Sequence, residues 1–301
     1  MSKIDSPSWF TEAIKLEPAT HTLNVEGANI NYLAWGEKNK PGIIFVHGGM
    51  AHAHWWSFIA PYFAKTHRVI AMNLSGMGDS DWRESYASEL WGKEIVEITK
   101  YEKLNKPIIV GHSLGGMCSV VAASQFKSEL YGLVIVDTAI LPPSEIPDKF
   151  DLKIKANKTY KSIKEAKSRF RLVPSQGNSL DYVMDFIAGK SLRKTNDGWT
   201  WKFDPSYMKI FNTAGFRARQ AILSDKLASL KCRVAVFRGE KSMLFSESAG
   251  KYMRELTNKK TPIIAIPEAH HHIMVDQPLA LISALRALVT DWDHSNPAKA
   301  D

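Results

Sequence analysis

Compact apolar runs recur along most of the chain and are separated by longer stretches of mixed polarity. Each run is four to seven residues long and rich in Val and Ile. Apolar runs of this length are typical of strands that are buried on both faces of a sheet. The runs are Ile43–Val46, Arg68–Leu74, Pro107–Val110, Leu133–Val136, Arg233–Phe237 and Pro262–Ile266.

The stretches between these runs carry helical patterns, clearest at Trp55–Lys65, Ser88–Leu104 and Leu114–Phe126. Strands that alternate with helices predict a mostly parallel sheet covered by helices on both faces. His21–Glu26 and Ile30–Trp35 instead alternate weakly between apolar and polar positions and are separated by Gly27. This pattern predicts an antiparallel hairpin at one edge of the sheet.

The alternation of strands and helices stops after Ile140 and resumes only near residue 225. The intervening stretch is rich in charged and aromatic residues, and its periodicity is helical at Ser162–Phe170, Leu180–Ile187 and Pro205–Phe216. We predict that residues 141–224 form an α-helical cap, while residues 1–140 and 225–301 form the core. A cap above the carboxyl edge of the sheet would cover the place where open α/β sheets bind ligands.

Composition narrows the class of protein only slightly. The chain has 301 residues, is 45% hydrophobic and carries a formal net charge of +8. Its lysines are thickest between Lys149 and Lys167, where they alternate with apolar residues, which is typical of a solvated helix face. We therefore predict no nucleic-acid partner and a small-molecule substrate, and the sequence leaves monomer and homodimer open.

Two cysteines, Cys118 and Cys232, are too few for a disulfide framework or a zinc pattern. Both lie in apolar surroundings and are predicted to be buried thiols of a reducing compartment. Met1–Pro18 contains no long apolar run, and no segment has the roughly 20 apolar residues that a membrane span needs. These features predict a cytoplasmic protein without a signal peptide, an integral membrane segment or a cofactor.

The strongest chemical motif is Gly111-His112-Ser113-Leu114-Gly115, which fits G-x-S-x-G. It lies directly between a predicted strand and a predicted helix, the setting of a nucleophilic serine on a sharp turn. Such a turn stores about 1–3 kcal/mol of backbone strain. Side chains at positions 111 and 115 would collide with the strand and the helix. A serine that merely caps the helix is the alternative.

Several motifs in the same order resemble the α/β-hydrolase family, in its branch with a cap. They are His47-Gly48-Gly49, Gly76-Met77-Gly78-Asp79-Ser80, the Ser113 motif and the late histidine cluster, and the resemblance covers roughly residues 20–292. It implies an eight-stranded, mostly parallel sheet with flanking helices and a helical cap. It also implies an oxyanion hole formed by the backbone N–H groups of Gly49 and Leu114, with His47 as a structural residue. Relatives that are dehalogenases or epoxide hydrolases use an aspartate nucleophile, so Ser113 argues against both chemistries.

The family places its catalytic histidine in the loop before the last helix, where this chain has His270, His271 and His272. The family spacing of seven residues before a helix-opening proline, here Pro278, selects His271. His270 and His272 remain alternatives. A metal site is not favoured, because adjacent side chains rarely converge on one ion and no acidic or cysteine ligand is suitably spaced.

The acid of a Ser-His-acid triad departs from the usual family pattern. Most members carry it in Gly-x-x-Asp, where this chain has Gly239-Glu240-Lys241-Ser242. Some capped relatives carry the acid one strand earlier, and this placement selects Asp137. Glu240 and Glu247 remain open, whereas Asp276 is expected to begin the final helix as its cap.

Met50, Trp55, Trp56 and Trp201 are candidates for a substrate pocket, with packing between cap and core as the alternative. Together these features predict a serine hydrolase that acts on a small or medium carboxylic ester or thioester through an acyl-enzyme. A C–C bond hydrolase of meta-cleavage-type diketones would use similar residues. Cofactor-free peroxidase or oxygenase chemistry and a non-catalytic ligand-binding protein on the same scaffold are further alternatives.

Overall fold

The computed structural model describes residues 5–126, 129–148, 156–177, 179–211 and 213–295, with no side-chain description at positions 213 and 214. The strands are β1 (Ala19–Val25), β2 (Ala28–Trp35), β3 (Pro41–Val46), β4 (Arg68–Met72), β5 (Asn105–His112), β6 (Gly132–Val136), β7 (Leu192–Thr195), β8 (Gly198–Trp201), β9 (Arg233–Gly239) and β10 (Ile263–Ile266). The α-helices are α1 (Ser8–Lys15), α2 (Ser88–Tyr101), α3 (Leu114–Ala123), α4 (Ile163–Ser168), α5 (Asp181–Lys190), α6 (Thr213–Ser229), α7 (Glu247–Leu256), α8 (Ile273–Asp276) and α9 (Pro278–His294).

Eight of these strands form one sheet in the order β1-β2-β4-β3-β5-β6-β9-β10. β1 and β2 pair antiparallel, β2 pairs antiparallel with β4, and all the remaining pairs are parallel. The predicted edge hairpin and the predicted parallel sheet are both confirmed. Parallel strands bring their carboxyl ends to one edge, and this edge gathers the residues that follow β3, β5, β6 and β10.

The sheet separates two apolar cores, as its uninterrupted apolar strands require. In β6, Val134 and Val136 face one core while Leu133 and Ile135 face the other. Helices α1, α5 and α9 contribute to the first core, and α2, α3, α6 and α7 contribute to the second. The molecule is thus a three-layer α/β structure.

The helix predicted over Trp55–Lys65 does not form as one α-helix. The chain there makes two short 3-10 helices, Ala53–Trp56 and Ala60–Tyr62, joined by turns. Asn73 accepts a hydrogen bond from the Ala53 backbone N–H at 2.7 Å, and Pro61 has no N–H to continue a helical ladder. Tertiary contacts therefore outweigh the helical pattern of this stretch.

The insertion, defined here as the residues between β6 and β9, contains α4, α5 and α6, but it is not purely helical. β7 and β8 form an antiparallel hairpin that the sequence reading missed. Its turn is Asn196-Asp197 followed by Gly198, whose φ of +136° suits glycine. The run Asn196-Asp197-Gly198, followed by an aromatic segment, is the turn signal that could have revealed it. The lysine-rich stretch falls partly on residues 149–155, which lie outside the described residues.

Asp204 anchors the insertion to the core. Its backbone N–H donates to the carbonyl of Gly76, and its carboxylate accepts a hydrogen bond from the Tyr86 hydroxyl at 2.8 Å. Phe203 forms an isolated bridge with Met77 beside this anchor. Helix α6 continues to Ser229, so the predicted boundary at residue 224 falls inside a helix.

The two cysteines are both free thiols. Cys118 is fully buried, as expected. Cys232, the residue directly before β9, is only half-buried. Within the described residues, no helix combines the length and the apolar character that crossing a membrane requires.

Candidate active site

Ser113, His271 and Asp137 meet at the carboxyl edge of the sheet. Ser113 follows β5, Asp137 follows β6, and His271 lies between β10 and α8. His271 Nε2 is 3.1 Å from the Ser113 hydroxyl oxygen, and His271 Nδ1 is 2.7 Å from Asp137 Oδ2. The three side chains therefore form one continuous hydrogen-bonded chain.

Ser113 occupies a strained turn between β5 and α3. Its φ of 53° and ψ of −120° lie in a region that non-glycine residues rarely adopt. A Cβ at Gly111 would lie 2.3 Å from the Ser119 hydroxyl, and one at Gly115 would lie 2.3 Å from the carbonyl oxygen of His47. The two motif glycines are thus required by close contacts. The Ser113 side chain makes no capping hydrogen bond to α3, so the helix-cap alternative does not describe it.

The two N–H groups that the family resemblance assigns to an oxyanion hole lie on the cavity that contains Ser113. Leu114 is the first residue of α3, so its N–H is outside the helical hydrogen-bond ladder. Gly49 lies in the turn after β3, which is closed by a hydrogen bond from the Ala51 N–H to the Gly48 carbonyl. Both residues line the same cavity as Ser113.

Asp137 is buried, and its carboxylate accepts three hydrogen bonds. Besides His271, the donors are the Gly239 backbone N–H at 2.7 Å and the Ser242 hydroxyl at 2.6 Å. The Asp137 side chain has no exposed surface. A carboxylate without water needs such donors to remain charged, and charge-assisted bonds of this length are strong.

Ser242 explains the departure from the Gly-x-x-Asp pattern. The residue at the position where most family members carry the acid is Ser242, and its hydroxyl donates to the carboxylate of Asp137, which follows the neighbouring strand β6. Glu240 is exposed and accepts a hydrogen bond from the Glu268 backbone N–H, and Glu247 is exposed at the start of α7. Of the three carboxylates left open by the sequence, only Asp137 is hydrogen-bonded to His271 in the described structure.

The three adjacent histidines have three different partners. His270 Nδ1 lies 2.9 Å from Asp276 Oδ2, and His272 Nδ1 lies 2.8 Å from Gln176 Oε1. His271 alone faces Ser113. No group of three or more potential metal ligands occurs among the described side chains, and the divergent partners of these histidines agree with that.

Asp276 does not cap the final helix, contrary to expectation. The N-cap position of α9 is Gln277, and Pro278 opens the helix. The Asp276 carboxylate instead accepts from the backbone N–H of His270 at 2.7 Å and from the Gln176 side chain at 3.2 Å. Burial raises the pKa of Asp276, while the contacts with His270 oppose that rise. The sequence did not reveal this role, because Gln176 comes from the distant insertion.

His112 supports the loop that carries His271, and sequence reasoning assigned it no role. Its ring Nε2 lies 2.9 Å from the carbonyl oxygen of His271. Burial lowers the pKa of His112 well below the ordinary histidine value, so its ring is neutral. A neutral ring that meets a carbonyl oxygen through Nε2 carries its proton there and donates it. No sequence signal marks this residue, because it occupies a variable position of G-x-S-x-G.

A cavity of about 370 Å³ opens above Ser113, between the sheet edge and the insertion. Met50 and Trp55, two of the four candidates for a substrate pocket, line it. Trp56 does not: it is fully buried and stacks on Phe45 in the core, at 4.7 Å between ring centroids. Most of the remaining lining is apolar and comes from both layers, including Leu114, Met117, Leu141, Val173, Met208, Phe211 and Phe216.

A second cavity of about 180 Å³ adjoins the first and shares Gly49, Met50, Trp55, Val173 and His272 with it. Trp201 lines this side cavity and is absent from the lining of the main one. It therefore lies farther from Ser113 than the sequence reading expected.

The family model for the alpha/beta hydrolase fold matches residues 41–277. Esterase Rv0045c of Mycobacterium tuberculosis is 24% identical over 286 residues, which cover 90% of each chain. Its solved structure superposes with a TM-score of 0.69 at 18% identity, covering 96% of this chain and 99% of that one. A thioesterase domain from the curacin biosynthetic pathway gives a TM-score of 0.73 at 20% identity, covering 89% and 99% of the two chains.

The match to the family model spans more than three quarters of the sequence and includes strands β3 to β10, the serine turn and the histidine loop. The strand order, the strained Ser113 turn and the hydrogen-bonded chain at the sheet edge agree with that match. The chain belongs to the α/β-hydrolase family.

Proposed function

We propose that this protein is a serine hydrolase that cleaves small or medium carboxylic esters or thioesters through an acyl-enzyme. One observation carries the proposal: the hydrogen-bonded chain from Ser113 through His271 to Asp137 lies at the floor of an apolar cavity of about 370 Å³. Nucleophile, base and orienting acid in this geometry are the requirements for acyl transfer.

In the first step the Ser113 oxygen attacks the substrate carbonyl carbon while His271 Nε2 takes the hydroxyl proton. A tetrahedral intermediate forms, and its collapse expels the alcohol or thiol, which receives the proton from His271. The products of this half-reaction are the acyl-Ser113 ester and the free leaving group. Water then attacks the ester with the same proton transfers and releases the carboxylic acid and Ser113.

Asp137 holds the tautomer of His271 in which Nδ1 carries a proton and Nε2 accepts one. Its negative charge also stabilises the imidazolium that forms as Ser113 attacks. Gly239 and Ser242 donate two further hydrogen bonds to this carboxylate, and these bonds hold its orientation toward His271.

The backbone N–H groups of Gly49 and Leu114 bind the oxyanion of the tetrahedral intermediate. Both belong to rigid elements, the turn after β3 and the first turn of α3, so little reorganisation accompanies the reaction. The positive end of the α3 dipole points toward the same negative charge.

The apolar lining of the cavity favours an uncharged acyl group of small or medium size. The proteins that this chain resembles include an esterase and a thioesterase domain, which supports the same reaction class. We place the cap within the insertion, at residues 141–224, because Val173, Pro174 and Met208 from this segment form the roof of the cavity.

The primary experiment combines covalent labelling and turnover. A fluorophosphonate should label the wild-type protein, and p-nitrophenyl butyrate should be hydrolysed. Ser113→Ala should lose both signals while remaining folded, and Ser229→Ala, which changes an exposed serine on α6, should keep both. No labelling and no ester turnover by the wild-type protein would reject the proposal, and turnover of a meta-cleavage-type diketone instead would favour C–C hydrolysis.

A further inference from the structure

Tyr207 is a buried aromatic residue of the insertion that reaches the candidate site. It lies in the 3-10 helix Pro205–Phe211, is 2% exposed and lines the same cavity as Ser113. Its ring packs edge-on against Trp91 of α2 and against Phe211, with centroids 6.1 and 6.3 Å apart. These contacts hold the ring between the core and the insertion.

The Tyr207 hydroxyl touches the turn that carries Gly49. A Cβ at position 49 would lie only 2.7 Å from the hydroxyl oxygen, so the glycine makes room for this group. The backbone N–H of the next residue, Met50, faces the same oxygen and opposes the rise in its pKa. The hydroxyl therefore lies beside a proposed oxyanion donor.

Among the described residues, the hydroxyl hydrogen of Tyr207 has no hydrogen-bond acceptor, neither a side chain nor a carbonyl. Burial raises the pKa of Tyr207 far above neutrality, so the group remains protonated. A buried O–H normally finds a partner, and the cavity is the open space next to it.

Hydrogen bonds to Asp204 hold the start of the 3-10 helix that carries Tyr207. Asp204 accepts hydrogen bonds from the backbone N–H of Ser206 at 2.9 Å and from its hydroxyl at 2.7 Å. The same carboxylate accepts from Tyr86 in the core. A donor held in this way can act in the transition state without large reorganisation.

We propose that the Tyr207 hydroxyl is a third donor to the substrate carbonyl oxygen, joining Gly49 and Leu114 as negative charge develops on it. The proposal rests on the acyl-transfer function proposed above. No covalent bond forms at Tyr207 and no proton leaves it: the O–H donates a hydrogen bond to the oxyanion and is released when the intermediate collapses. The insertion thereby contributes a catalytic residue in addition to covering the cavity above Ser113.

The test is Tyr207→Phe, which removes one oxygen and keeps the ring packing. We expect kcat for p-nitrophenyl butyrate to fall about 10²-fold with little change in KM, because the lost bond strengthens only in the transition state. Fluorophosphonate labelling should become slower but should remain dependent on Ser113. Tyr131→Phe is the matched control, since it removes a hydroxyl bonded to Trp292 at the opposite end of β6 and should leave kcat unchanged.

Replacing Tyr207 by 3-fluorotyrosine separates direct donation from mere support of the Met50 turn. Fluorination strengthens the hydroxyl as a donor and weakens it as an acceptor, so direct donation predicts equal or higher kcat, and support of Met50 predicts lower kcat. Wild-type kcat in Tyr207→Phe, or reduced kcat in the fluorinated protein, would overturn this inference while leaving Ser113-dependent hydrolysis intact. Loss of labelling in the wild-type protein would instead remove the proposed function itself.

Discussion

At the residue scale, the site depends on a buried negative charge and the groups that surround it. Asp137 follows β6 with a φ of 45° and directs its carboxylate to three donors, two from the turn that ends β9 and one from the histidine loop. Taking one of these donors away leaves a buried charge less well satisfied, which costs more than an exposed hydrogen bond would. Asp137 and Ser242 are therefore informative positions for substitution.

Replacing Asp137 by Asn should lower kcat about 10³- to 10⁴-fold, because the amide favours the wrong tautomer of His271 and does not stabilise its cation. Steady-state turnover of p-nitrophenyl butyrate measures the loss, and circular dichroism checks folding. Glu240→Gln is the control, since the glutamine keeps an acceptor for the Glu268 N–H and should retain activity. Wild-type turnover in Asp137→Asn would transfer the role of the acid elsewhere.

Ser242→Ala should reduce kcat about tenfold and destabilise the fold by about 1–3 kcal/mol, because Asp137 loses the donor at 2.6 Å. Ser242→Thr retains a hydroxyl and should recover most of the activity. Kinetics and urea unfolding of both variants test the assignment of Ser242 as a positioning residue. Equal defects in the two variants would show that packing, rather than the hydroxyl, is what matters at this position.

At the element scale, Gln176 joins the insertion to the loop between β10 and α8. Its Oε1 accepts from the His272 backbone N–H at 2.8 Å and meets the His272 ring nitrogen, while its amide donates to Asp276. The loop is also held from the sheet side by His112. His271 is thus positioned between a contact from the insertion and a contact from the core.

Gln176→Ala should therefore lower both stability and kcat, because it leaves buried groups of His272 without an acceptor and removes one donor to Asp276, at about 1–3 kcal/mol. Gln176→Glu should be more damaging to kcat near neutral pH, since it adds a second carboxylate beside Asp276. Thermal unfolding and steady-state kinetics measure both effects. Gln125→Ala, an exposed change after α3, is the matched control, and an inert Gln176→Ala would contradict this account.

At the scale of the whole molecule, several histidines are enclosed between the sheet and its covering layers. Burial lowers the pKa of His47 to about 4, and it lowers the pKa values of His52, His112 and His272 well below their ordinary value. These rings are neutral in the folded protein, whereas an unfolded chain exposes them to water. Folding and protonation are consequently linked.

The free energy of unfolding should decrease as the pH falls from about 6.5 toward 4. In this range the unfolded chain binds more protons than the folded one, so acid favours unfolding. A histidine whose pKa is shifted as far as that of His47 changes the free energy of unfolding by at most about 3 kcal/mol. Urea unfolding between pH 7.5 and 5 measures the slope. His294→Asn, which removes an exposed histidine, should leave the slope unchanged, and equal stability at pH 7.5 and 5 would refute the prediction.

The sequence alone determined the features that depend on neighbours along the chain. Apolar runs marked the strands, the glycines around Ser113 marked the strained turn, and the family spacing to Pro278 selected His271. The same local reasoning failed at Trp55–Lys65, where a hydrogen bond from the Ala53 N–H to the distant Asn73 and the burial of side chains on several sides override the helical pattern.

Only the tertiary structure decided which carboxylate meets His271, since Asp137 lies 134 residues away along the chain. It also brought Ser242 to Asp137, Gln176 to His272 and the Tyr207 hydroxyl to Gly49. Each of these contacts depends on how separate strands and the insertion pack together. A local sequence pattern indicates the conformation of one segment but not the distances between segments. The proposed chemistry depends on those distances.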